Sequence, residues 1–364
     1  MSPATPSTLP RRDYAADGDG PVASHVVTMK VLIVKTSSLG DVLHTLPAIT
    51  DAVKQLGTIQ FHWLVEESLA EIPSWHPEVT RVIPFPWRRW RHHPLAALGQ
   101  GEPIRFLQEL RHHTYDAIID AQGLLKSAIP ARLAKGKVWG HDRHSAREPW
   151  ASWWYHHPVK VATGQHAIDR VRQLFAQVLG YPPPTTPPDY GLAGSWLTDQ
   201  KRGDHLVFIH GTTWPSKHWP QDHWQQLAAS LDGTCPIRLP WGNAIEKKRA
   251  EAIAAAAPLS AKVLEKTTLE QLAMVLATAR RVVAVDTGPA HLAAALATPA
   301  LCLYGPTDPA LVGTVSGNHD HDCGPCPRAP CRQKICPLIN RDAAPPCMAA
   351  ITPTMVQKWL EHKG

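Results

Sequence analysis

The sequence predicts a soluble α/β protein made of two doubly wound, Rossmann-like domains. From residue 29 onward, segments typical of strands alternate with segments typical of helices, which is the pattern of a doubly wound parallel sheet. The chain has 364 residues, too many for one ordinary core and suited to two domains. Because no stretch approaches the roughly 20 apolar residues needed to span a bilayer, an integral membrane protein is not expected.

The first half opens on the strand MKVLIV, which is apolar on both faces and therefore belongs in the middle of a parallel sheet. One amphipathic helix is predicted to open on Gly40 and Asp41 and to run to Leu56, with apolar residues recurring at spacings of three and four. The following segments are predicted in the order IQFHWLV (strand), TRVIPF (strand), PIRFLQELRHH (helix), YDAIIDAQG (strand), a further helix, KVWG (strand) and AIDRVRQLFAQVLG (helix).

The segment YPPPTTPPDYGL breaks the alternation and predicts a stiff linker, so residues 29–185 and 186–348 are predicted to be the two domains. The second half then runs in the order HLVFIH, QDHWQQLAASL, CPIRLPWG, AIEKKRAEAIAAAA, AKVLEK, TLEQLAMVLATA, VVAVDTG, PAHLAAALA and ALCLYG. A cysteine-rich loop and a last short helix over residues 349–364 complete it. Two such domains facing each other would enclose a central ligand cleft.

Residues 1–28 are rich in Pro, Ala, Ser and Asp, and they lack the apolar core of a secretory signal. They predict a disordered N-terminal extension. Met29 stands directly before the first strand, so translation could start at Met1 or at Met29. Without an export signal, the cytoplasm is the expected compartment.

Two acidic residues allow both a structural and a functional interpretation. Asp41 follows the first strand at the amino end of a helix, which is the sheet edge where open α/β folds place their chemistry. Glu246 follows LPWG, where a carboxylate could accept hydrogen bonds from two ribose hydroxyls. Taken alone, each is also explained as an acid that stabilises the first turn of a helix.

Two loops of the second half suit a diphosphate. GTTWPSKHWP offers hydroxyls and a cation after a strand, and VDTGPAHL turns from a strand into a helix whose first amides can bind an anion. The residues concerned are Thr212, Thr213, Lys217, Asp286, Thr287 and Gly288. Alternatively, Thr287 is an ordinary helix cap and Lys217 a solvated charge. Neither loop has a P-loop or dinucleotide glycine pattern, so a P-loop NTPase and a Rossmann dehydrogenase are unsupported.

The net charge of +6 is mild, so local clusters of basic residues matter more than the total. The first half carries such a cluster in WRRWRHH and in ARLAKGKVWGHDRHSAREPW. Arginine forks match phosphate and carboxylate groups, and tryptophans suit a polar/apolar boundary. The cluster therefore predicts an acidic, lipid-linked partner at a membrane surface. Nucleic acid and a merely solvated surface are the alternatives.

Five cysteines between Cys323 and Cys347 crowd one proline-rich loop that starts with C-x2-C and follows the triplet D-H-D. This start resembles half of a zinc or iron–sulfur site, but the later spacing fits no standard site. Reduced structural thiols are the favoured interpretation in a cytosolic protein, and a bound metal stays open. The D-H-D triplet is interpreted as part of the loop, far from any strand.

Several motifs together resemble a known family. They are KTSSLGDVLHTLPA, WLVEE, EIPSWHPEVTRVIP, RRWR, YDAIIDAQGLLKSA, AREPWAS, KHWP, LPWG, VDTGPAHL and LYGPTDP, in this order. The chain resembles the ADP-heptose glycosyltransferases of the GT-B fold, and among them the lipopolysaccharide heptosyltransferases I. The resemblance implies inverting transfer of L-glycero-D-manno-heptose from ADP-heptose to Kdo2-lipid A at the inner face of the bacterial inner membrane. It also implies a last helix that packs back towards the N-terminal domain.

The resemblance implies roles for residues at matching positions. Asp41 would be the general base, and Lys217 would stabilise the leaving diphosphate. Donor binding would involve Thr212, Thr213, Lys217, Glu246, Asp286, Thr287, Gly288 and His291. Acceptor binding would involve Ser38, Gly40, Arg88, Arg89, Arg91, Gln122, Lys126 and Arg147.

We expect a monomer that needs no metal or other cofactor and binds no nucleic acid. Whether a divalent cation stimulates the reaction stays open. The alternatives are a heptosyltransferase that acts on another core position and a non-catalytic peripheral module that binds anions.

Overall fold

A computed structural model describes residues 28–192, 197–339 and 343–362 of the chain. The predicted disordered extension therefore lies outside the described residues, except for Thr28. By their contacts the described residues form two compact units. The first comprises the described residues up to Ser37 together with His44–Gly191, and the second comprises Ser38–Leu43 together with the described residues from Leu192 onward. The short helix α1 (Leu39–Leu43) thus belongs to the second unit by its packing, although the sequence placed it in the first domain.

The first unit is built on a six-stranded parallel sheet in the order β3-β2-β1-β4-β5-β6, which is the Rossmann order. Its strands are β1 (Met29–Val34), β2 (Ile59–Glu66), β3 (Val79–Phe85), β4 (Thr114–Asp120), β5 (Lys135–His141) and β6 (His157–Val159). Its helices are α2 (Leu46–Leu56), α3 (Glu71–Ser74), α4 (Trp87–His92), α5 (Pro94–Gly99), α6 (Glu102–Leu110), α7 (Leu125–Leu133) and α8 (Ala167–Leu179).

Strand β1 lies in the middle of this sheet, as its apolar sequence predicts. It pairs with β2 on one side and β4 on the other, and its residues from Val31 to Val34 have no exposed surface. The single helix predicted after it is wrong in one respect, because α1 ends at Leu43 and α2 begins at Leu46. Pro47 lies in the first turn of α2, where its missing N–H costs nothing. In the interior of one continuous helix, Pro47 would remove a main-chain hydrogen bond, and its ring would clash with the carbonyl four residues earlier.

An ion pair inside the first unit joins α2 to α8. Nε of Arg172 lies 2.6 Å from Oδ2 of Asp51, and only 3% and 7% of the two side chains are exposed. The same guanidinium donates a hydrogen bond to the carbonyl oxygen of Thr186 at 2.9 Å. The linker segment is therefore fastened to the pair of helices that cover the sheet.

The second unit repeats the architecture with a parallel sheet in the order β12-β11-β10-β7-β8-β9, again the Rossmann order. Its strands are β7 (Leu206–Ile209), β8 (Ile237–Leu239), β9 (Ala261–Val263), β10 (Arg281–Val285), β11 (Ala300–Tyr304) and β12 (His319–Cys323). Beside α1, its helices are α9 (Gln221–Ser230), α10 (Ala244–Ala255), α11 (Leu269–Ala277), α12 (Gly288–Ala295), α13 (Pro309–Val312), α14 (Pro346–Ala349) and α15 (Pro353–His362). The predicted α/β class with two doubly wound sheets is confirmed.

Strand β12 corrects the prediction that the D-H-D triplet lies in a loop far from any strand. The triplet forms the edge of the second sheet, where His319–Cys323 pairs in parallel with β11. Its side chains find polar partners rather than an apolar core: Nε1 of Trp359 donates to Asp320, and Nε2 of His321 lies 3.0 Å from the hydroxyl of Thr314. A strand of this composition lacks the apolar alternation from which strands are predicted.

The last helix, α15, packs in the second unit. Val356 and Leu360 are buried in the same apolar cluster as Trp219 and Trp224, and α15 lies against α9. Its predicted reach towards the first domain stays a prediction. Among the described residues, every helix is too short or too polar to cross a membrane.

Candidate active site

The candidate site of the second unit lies at the switch point of its sheet, where the loops after the central strands β7 and β10 meet. Asp286, directly after β10, is the centre of the group. Nζ of Lys217 lies 2.7 Å from its Oδ2, and the hydroxyl of Thr307 donates to the same oxygen. The hydroxyl of Thr212 donates to the main-chain oxygen of Asp286 at 3.1 Å, and Nε2 of His291 lies 3.9 Å from its Oδ1. Loops that follow three neighbouring strands therefore converge on one carboxylate.

Lys217 is held in place by more than its ion pair. Its Nζ lies 4.6 Å from the centre of the Trp214 ring, a cation–π geometry, and only 15% of its side chain is exposed. A solvated surface lysine, the alternative considered from the sequence, is therefore wrong. Neither Trp214 nor Thr307 was singled out from the sequence, although both stand in the motifs that contain KHWP and LYGPTDP.

Helix α12 begins at this point with an amino terminus suited to an anion. Thr287 is its cap residue and has an extended backbone, but the side chain makes no capping hydrogen bond. Gly288 and Pro289 form the first turn, and Pro289 has no N–H to offer. Thr287 is therefore the cap residue that the structural alternative predicted, although its hydroxyl makes no capping hydrogen bond. Main-chain amides at such a terminus can bind a phosphate.

Helix α1 lies against α12 with close backbone approach. A Cβ atom added at Gly40 would lie 2.8 Å from Cδ2 of His291, and one at Gly288 would lie 2.9 Å from Cβ of Leu39. Both distances are shorter than real Cβ contacts, so only glycine fits at the two positions without a shift of a neighbour. Two predicted site residues, Gly40 and Gly288, thus have a packing reason to be glycine.

Asp41 lies in the first turn of α1, with its carboxylate half-buried. Its Oδ2 accepts hydrogen bonds from the main-chain nitrogen and from the hydroxyl of Ser38, each at 2.9 Å. This is one half of a capping box, in which the side chain of the third residue of a helix accepts a hydrogen bond from the nitrogen of the cap residue. The structural role considered from the sequence is therefore present, and it fixes the carboxylate on a helix that packs beside His291.

Glu246 lies over the loop that follows β7. Its Oε2 accepts a hydrogen bond from the main-chain nitrogen of Gly242 at 2.7 Å, and a Cβ at Gly211 would lie 2.6 Å from its Cδ. Asn243 caps α10 with bonds to the nitrogens of Ile245 and Glu246, so the helix does not depend on Glu246 for its cap. The carboxylate is half-buried beside the residue that precedes Thr212.

One turn after Glu246, Arg249 contacts the other end of the same loop. Its Nη1 lies 2.5 Å from Nδ1 of His218. Burial and, to a smaller extent, the positive charge of Arg249 lower the pKa of His218 to about 4. The ring is therefore neutral near neutral pH and accepts the hydrogen bond from the guanidinium. The sequence did not single out this pair.

The switch point of the first unit holds three of the predicted acceptor residues. Oε1 of Gln122 accepts hydrogen bonds from the main-chain nitrogens of Thr36 and Ser37, at 3.1 and 3.2 Å. Nζ of Lys126 donates to the hydroxyl of Ser37 at 2.7 Å. Gln122 is 2% exposed, so its carboxamide shapes the turn after β1. The main chain of Arg147 lies close to this turn, since a Cβ atom added at Gly123 would lie 3.3 Å from the nitrogen of Arg147.

A buried carboxylate that the sequence did not single out supports this turn. Asp120 is fully buried at the end of β4 and accepts hydrogen bonds from the Tyr155 and Ser127 hydroxyls at 2.8 and 2.9 Å. It also accepts one from the nitrogen of Gln122 at 2.8 Å. Burial raises the pKa of the Asp120 carboxyl, while these donors lower it. The network fixes the position of Gln122.

The arginines of α4 differ in their surroundings. Arg89 pairs with Glu67 at 3.2 Å and with Glu102 at 2.7 Å, and these hydrogen bonds raise the pKa of its guanidinium. The main-chain nitrogen of Arg88 donates to Glu66 at 3.3 Å. Arg88 and Arg91 are exposed. The glutamate partners of Arg89 come from distant segments and were not predicted.

The cysteine loop contains only free thiols among the described residues. In that part of the chain no three His, Cys, Asp or Glu side chains are grouped so that they could hold a metal ion. Cys347 is buried against Gly305, and burial raises the pKa of its thiol to about 11, with smaller contributions from Cys326 and Cys336. The expectations about metal at this loop stay predictions.

Comparisons with known proteins agree on one family. The family model for glycosyltransferase family 9 (heptosyltransferase) matches residues 104–340. Lipopolysaccharide heptosyltransferase 1 of Pseudomonas aeruginosa is 52% identical over 347 residues, which cover 92% of this chain and 97% of that protein. The protein of the same name from Escherichia coli K12 is 49% identical over 294 residues, which cover 80% and 92%.

Solved structures show the same relationship. The structure described as E. coli heptosyltransferase WaaC with ADP has a TM-score of 0.82 and 44% identity, and the match covers 92% of this chain and 100% of that one. E. coli ADP-heptose lps heptosyltransferase II has a TM-score of 0.70 at 20% identity, with 91% and 97% covered, and at that identity it supports the fold alone.

Proposed function

The chain belongs to glycosyltransferase family 9, the heptosyltransferases, and from this premise we propose that it makes the first heptose linkage of the lipopolysaccharide inner core. The proposed reaction transfers L-glycero-D-manno-heptose from ADP-heptose to a Kdo hydroxyl of Kdo2-lipid A, with inversion at the sugar carbon. The observation that carries the proposal is the convergence of Lys217, Thr212, Thr307 and the start of α12 on Asp286, beside the helix that carries Asp41.

On the donor side, the second unit offers positive charge where a leaving diphosphate needs it. We propose that Lys217, the Thr213 hydroxyl and the amides of Thr287 and Gly288 bind the two phosphates. Asp286 holds Lys217 in position through the 2.7 Å ion pair. Donors fixed before the reaction stabilise the charge that grows on ADP as the bond to the sugar breaks. Glu246 is proposed to accept hydrogen bonds from the ribose hydroxyls.

Asp41 is proposed to be the general base. It takes the proton of the Kdo hydroxyl while that oxygen attacks the sugar carbon opposite the diphosphate, and the departing ADP keeps the electron pair of the broken bond. The two hydrogen bonds from Ser38 hold the carboxylate in place, and a carboxylate is a weak base. A weak base suffices when the proton leaves late, after the sugar carbon has become electrophilic.

The first unit is proposed to bind the acceptor and to face the membrane. Lys126, Arg147 and the exposed Arg88 and Arg91 supply positive charge for phosphates and carboxylates of the acceptor, and Gln122 and Arg89 are proposed to shape that site. Ser38 and Gly40, which belong to the second unit, are proposed as further acceptor-binding residues. Next to α4, α5 and α6 expose apolar side chains: Leu95 is 83% exposed, Leu98 66% and Ile104 66%. Apolar and basic side chains together suit an anionic membrane surface. We propose a cytoplasmic monomer associated peripherally with the inner membrane.

The experiment is a panel of donors and acceptors mixed with the purified protein. We expect ADP release and a heptosylated product only with ADP-heptose and Kdo2-lipid A together. Transfer only to an already heptosylated acceptor would favour an enzyme of another core position. Binding of Kdo2-lipid A without any release of ADP would favour an anion-binding module and overturn the proposal.

Two further measurements test the partners. A larger fraction of the protein should sediment with vesicles of anionic lipids than with neutral vesicles. The double variant Leu95→Ser, Leu98→Ser should sediment less with the anionic vesicles, while its elution position in gel filtration stays that of the wild type. Because the proposed positive charge comes from Lys217 and α12, dialysis against EDTA should leave transfer intact. Loss of activity that Mg²⁺ restores would contradict this part.

A further inference from the structure

The segment between Cys331 and Cys336, which we call the brace, contacts two loops of the candidate site. The main-chain nitrogen of Arg332 donates a hydrogen bond to the carbonyl oxygen of Pro306 at 2.7 Å. The hydroxyl of Ser216 donates to the carbonyl oxygen of Gln333 at 2.6 Å, and the main-chain nitrogen of Ser216 donates to the carbonyl oxygen of Lys334 at 3.3 Å. Three consecutive residues of the brace thus bind the loop after β7 and the loop after β11.

The two bound residues are direct neighbours of the residues that hold Asp286. Ser216 precedes Lys217, whose Nζ lies 2.7 Å from Asp286, and Pro306 precedes Thr307, whose hydroxyl donates to the same carboxylate. The brace therefore sets the spacing of the two main-chain segments that present the cation and the hydroxyl.

The brace makes these contacts through its main chain. Gln333 and Lys334 have exposed side chains, and their carbonyl oxygens make the contacts. Arg332 has a φ of +54°, a left-handed conformation that turns the chain between its own N–H and these two carbonyls. Ser216 is 2% exposed, so its hydroxyl has exchanged water for the Gln333 carbonyl. A buried hydroxyl without that partner would carry a desolvation cost.

We propose that the brace positions Lys217 for the leaving diphosphate, with Ser216 as the positioning residue through which it acts. The lysine side chain has four rotatable bonds, and its ammonium stabilises the departing group only when it lies at the right point. The brace fixes the end of that chain at the backbone, and Asp286 fixes the other end. This gives the cysteine-rich loop a role in the reaction, and it rests on the proposed function of Lys217.

The test is a double-mutant cycle between Ser216 and Lys217 in the full-length protein. Ser216→Ala removes one buried hydrogen bond, and we expect kcat for ADP release to fall about five- to tenfold. In the Lys217→Ala background the same substitution should have no further effect, because two residues that act through one group are not additive. A merely structural role would reduce kcat by the same factor in both backgrounds.

Controls separate positioning from folding. Ser216→Thr keeps the hydroxyl and should retain kcat within about twofold, whereas loss equal to that of Ser216→Ala would contradict the hydrogen bond as the cause. Ser230→Ala also removes a hydroxyl-to-carbonyl bond, at 2.9 Å to Leu227 on α9, and should leave kcat unchanged. The proposal is overturned if Ser216→Ala matches the wild type, or if its effect is additive with that of Lys217→Ala.

A second readout keeps this proposal separate from the proposed function. The same cycle is measured on the Kd for ADP, which requires no acceptor and no turnover. If the wild type releases no ADP from ADP-heptose and Kdo2-lipid A, the proposed function fails. Additive effects of the two substitutions on the Kd for ADP would contradict the proposed role of the brace, whichever acceptor the enzyme uses.

Discussion

Nζ of Lys217 and Oδ2 of Asp286 lie 2.7 Å apart, and only 15% and 6% of the two side chains are exposed. An ion pair this well shielded is held by its surroundings, here the Trp214 ring and the Thr307 hydroxyl. The pair brings a cation to the amino end of α12, where main-chain amides can bind a phosphate.

Lys217→Ala should reduce kcat/KM for transfer by roughly 10²- to 10³-fold, the range for removal of one donor to a developing negative charge. Lys247→Ala is the matched control, because Lys247 also lies over a tryptophan ring, at 5.2 Å from Trp241, but on the exposed face of α10. Steady-state kinetics of ADP release measure both. Equal rates for the two variants would contradict the role of Lys217.

Gly40→Ala should disturb the contact between α1 and α12, because the new Cβ would lie 2.8 Å from His291. Overpacking of this kind costs about 1–3 kcal/mol, and here it also displaces the helix that carries Asp41, so both the melting temperature and the transfer rate should fall. At Gly317 a Cβ would meet nothing within 4 Å, so Gly317→Ala is the control. A Gly40→Ala variant with wild-type stability and rate would show that α1 does not pack this way.

Arg172→Ala should destabilise the first unit by about 3–5 kcal/mol, because it leaves the carboxylate of Asp51 buried without its partner. The comparison is Lys54→Ala, which breaks the exposed pair between Lys54 and Asp189 and should cost at most about 1 kcal/mol. Urea unfolding followed by circular dichroism measures both changes. Similar losses in the two variants would contradict the burial of the Arg172 pair.

The first unit should lose stability in mild acid through His76. Burial lowers the pKa of this ring from 6.5 to about 4, so the folded protein binds the proton less well than the unfolded chain does. Stability from this group is complete above the unfolded pKa and falls as the pH drops from 6.5 towards 4. Between about pH 7.5 and about pH 5 the loss is about 2 kcal/mol.

The measurement is the free energy of unfolding at both pH values for the wild type and His76→Asn. Asn can still accept the hydrogen bond that His76 accepts from the nitrogen of Glu78, but it does not titrate. The variant should therefore show a pH dependence that is smaller by the amount attributed to His76. An unchanged pH dependence would mean that His76 is not the group that titrates.

Local patterns predicted the sheets and the site loops. β1 and β10 are apolar apart from Lys30 and Arg281 and lie largely buried beside the switch points. The loops after parallel strands meet at one edge because the topology requires it. Lys217 and Asp286 could be assigned to one site on this basis. Their distance could not be, because it depends on how the loops after β7 and β10 pack.

Features that depend on tertiary contacts could not be predicted from the sequence. The packing of α1 in the second unit depends on Gly40 and His291, which are far apart in the chain. Arg89 was predicted only as part of a basic cluster that binds the acceptor, and its partners Glu67 and Glu102 come from other elements. Strand β12 is polar and held by side-chain partners, so it has no apolar alternation that a pattern search could detect.

The most direct test of the account compares the wild type with Asp41→Asn in one assay of ADP release from ADP-heptose and Kdo2-lipid A. Asp222→Asn is the control, since Asp222 is also an acid in the first turn of a helix of the second unit. We predict that the wild type and Asp222→Asn release ADP and form the heptosylated lipid at the same rate. Asp41→Asn should bind ADP normally and react about 10²- to 10⁴-fold more slowly, the range for loss of a general base. Wild-type turnover by Asp41→Asn would contradict the central claim.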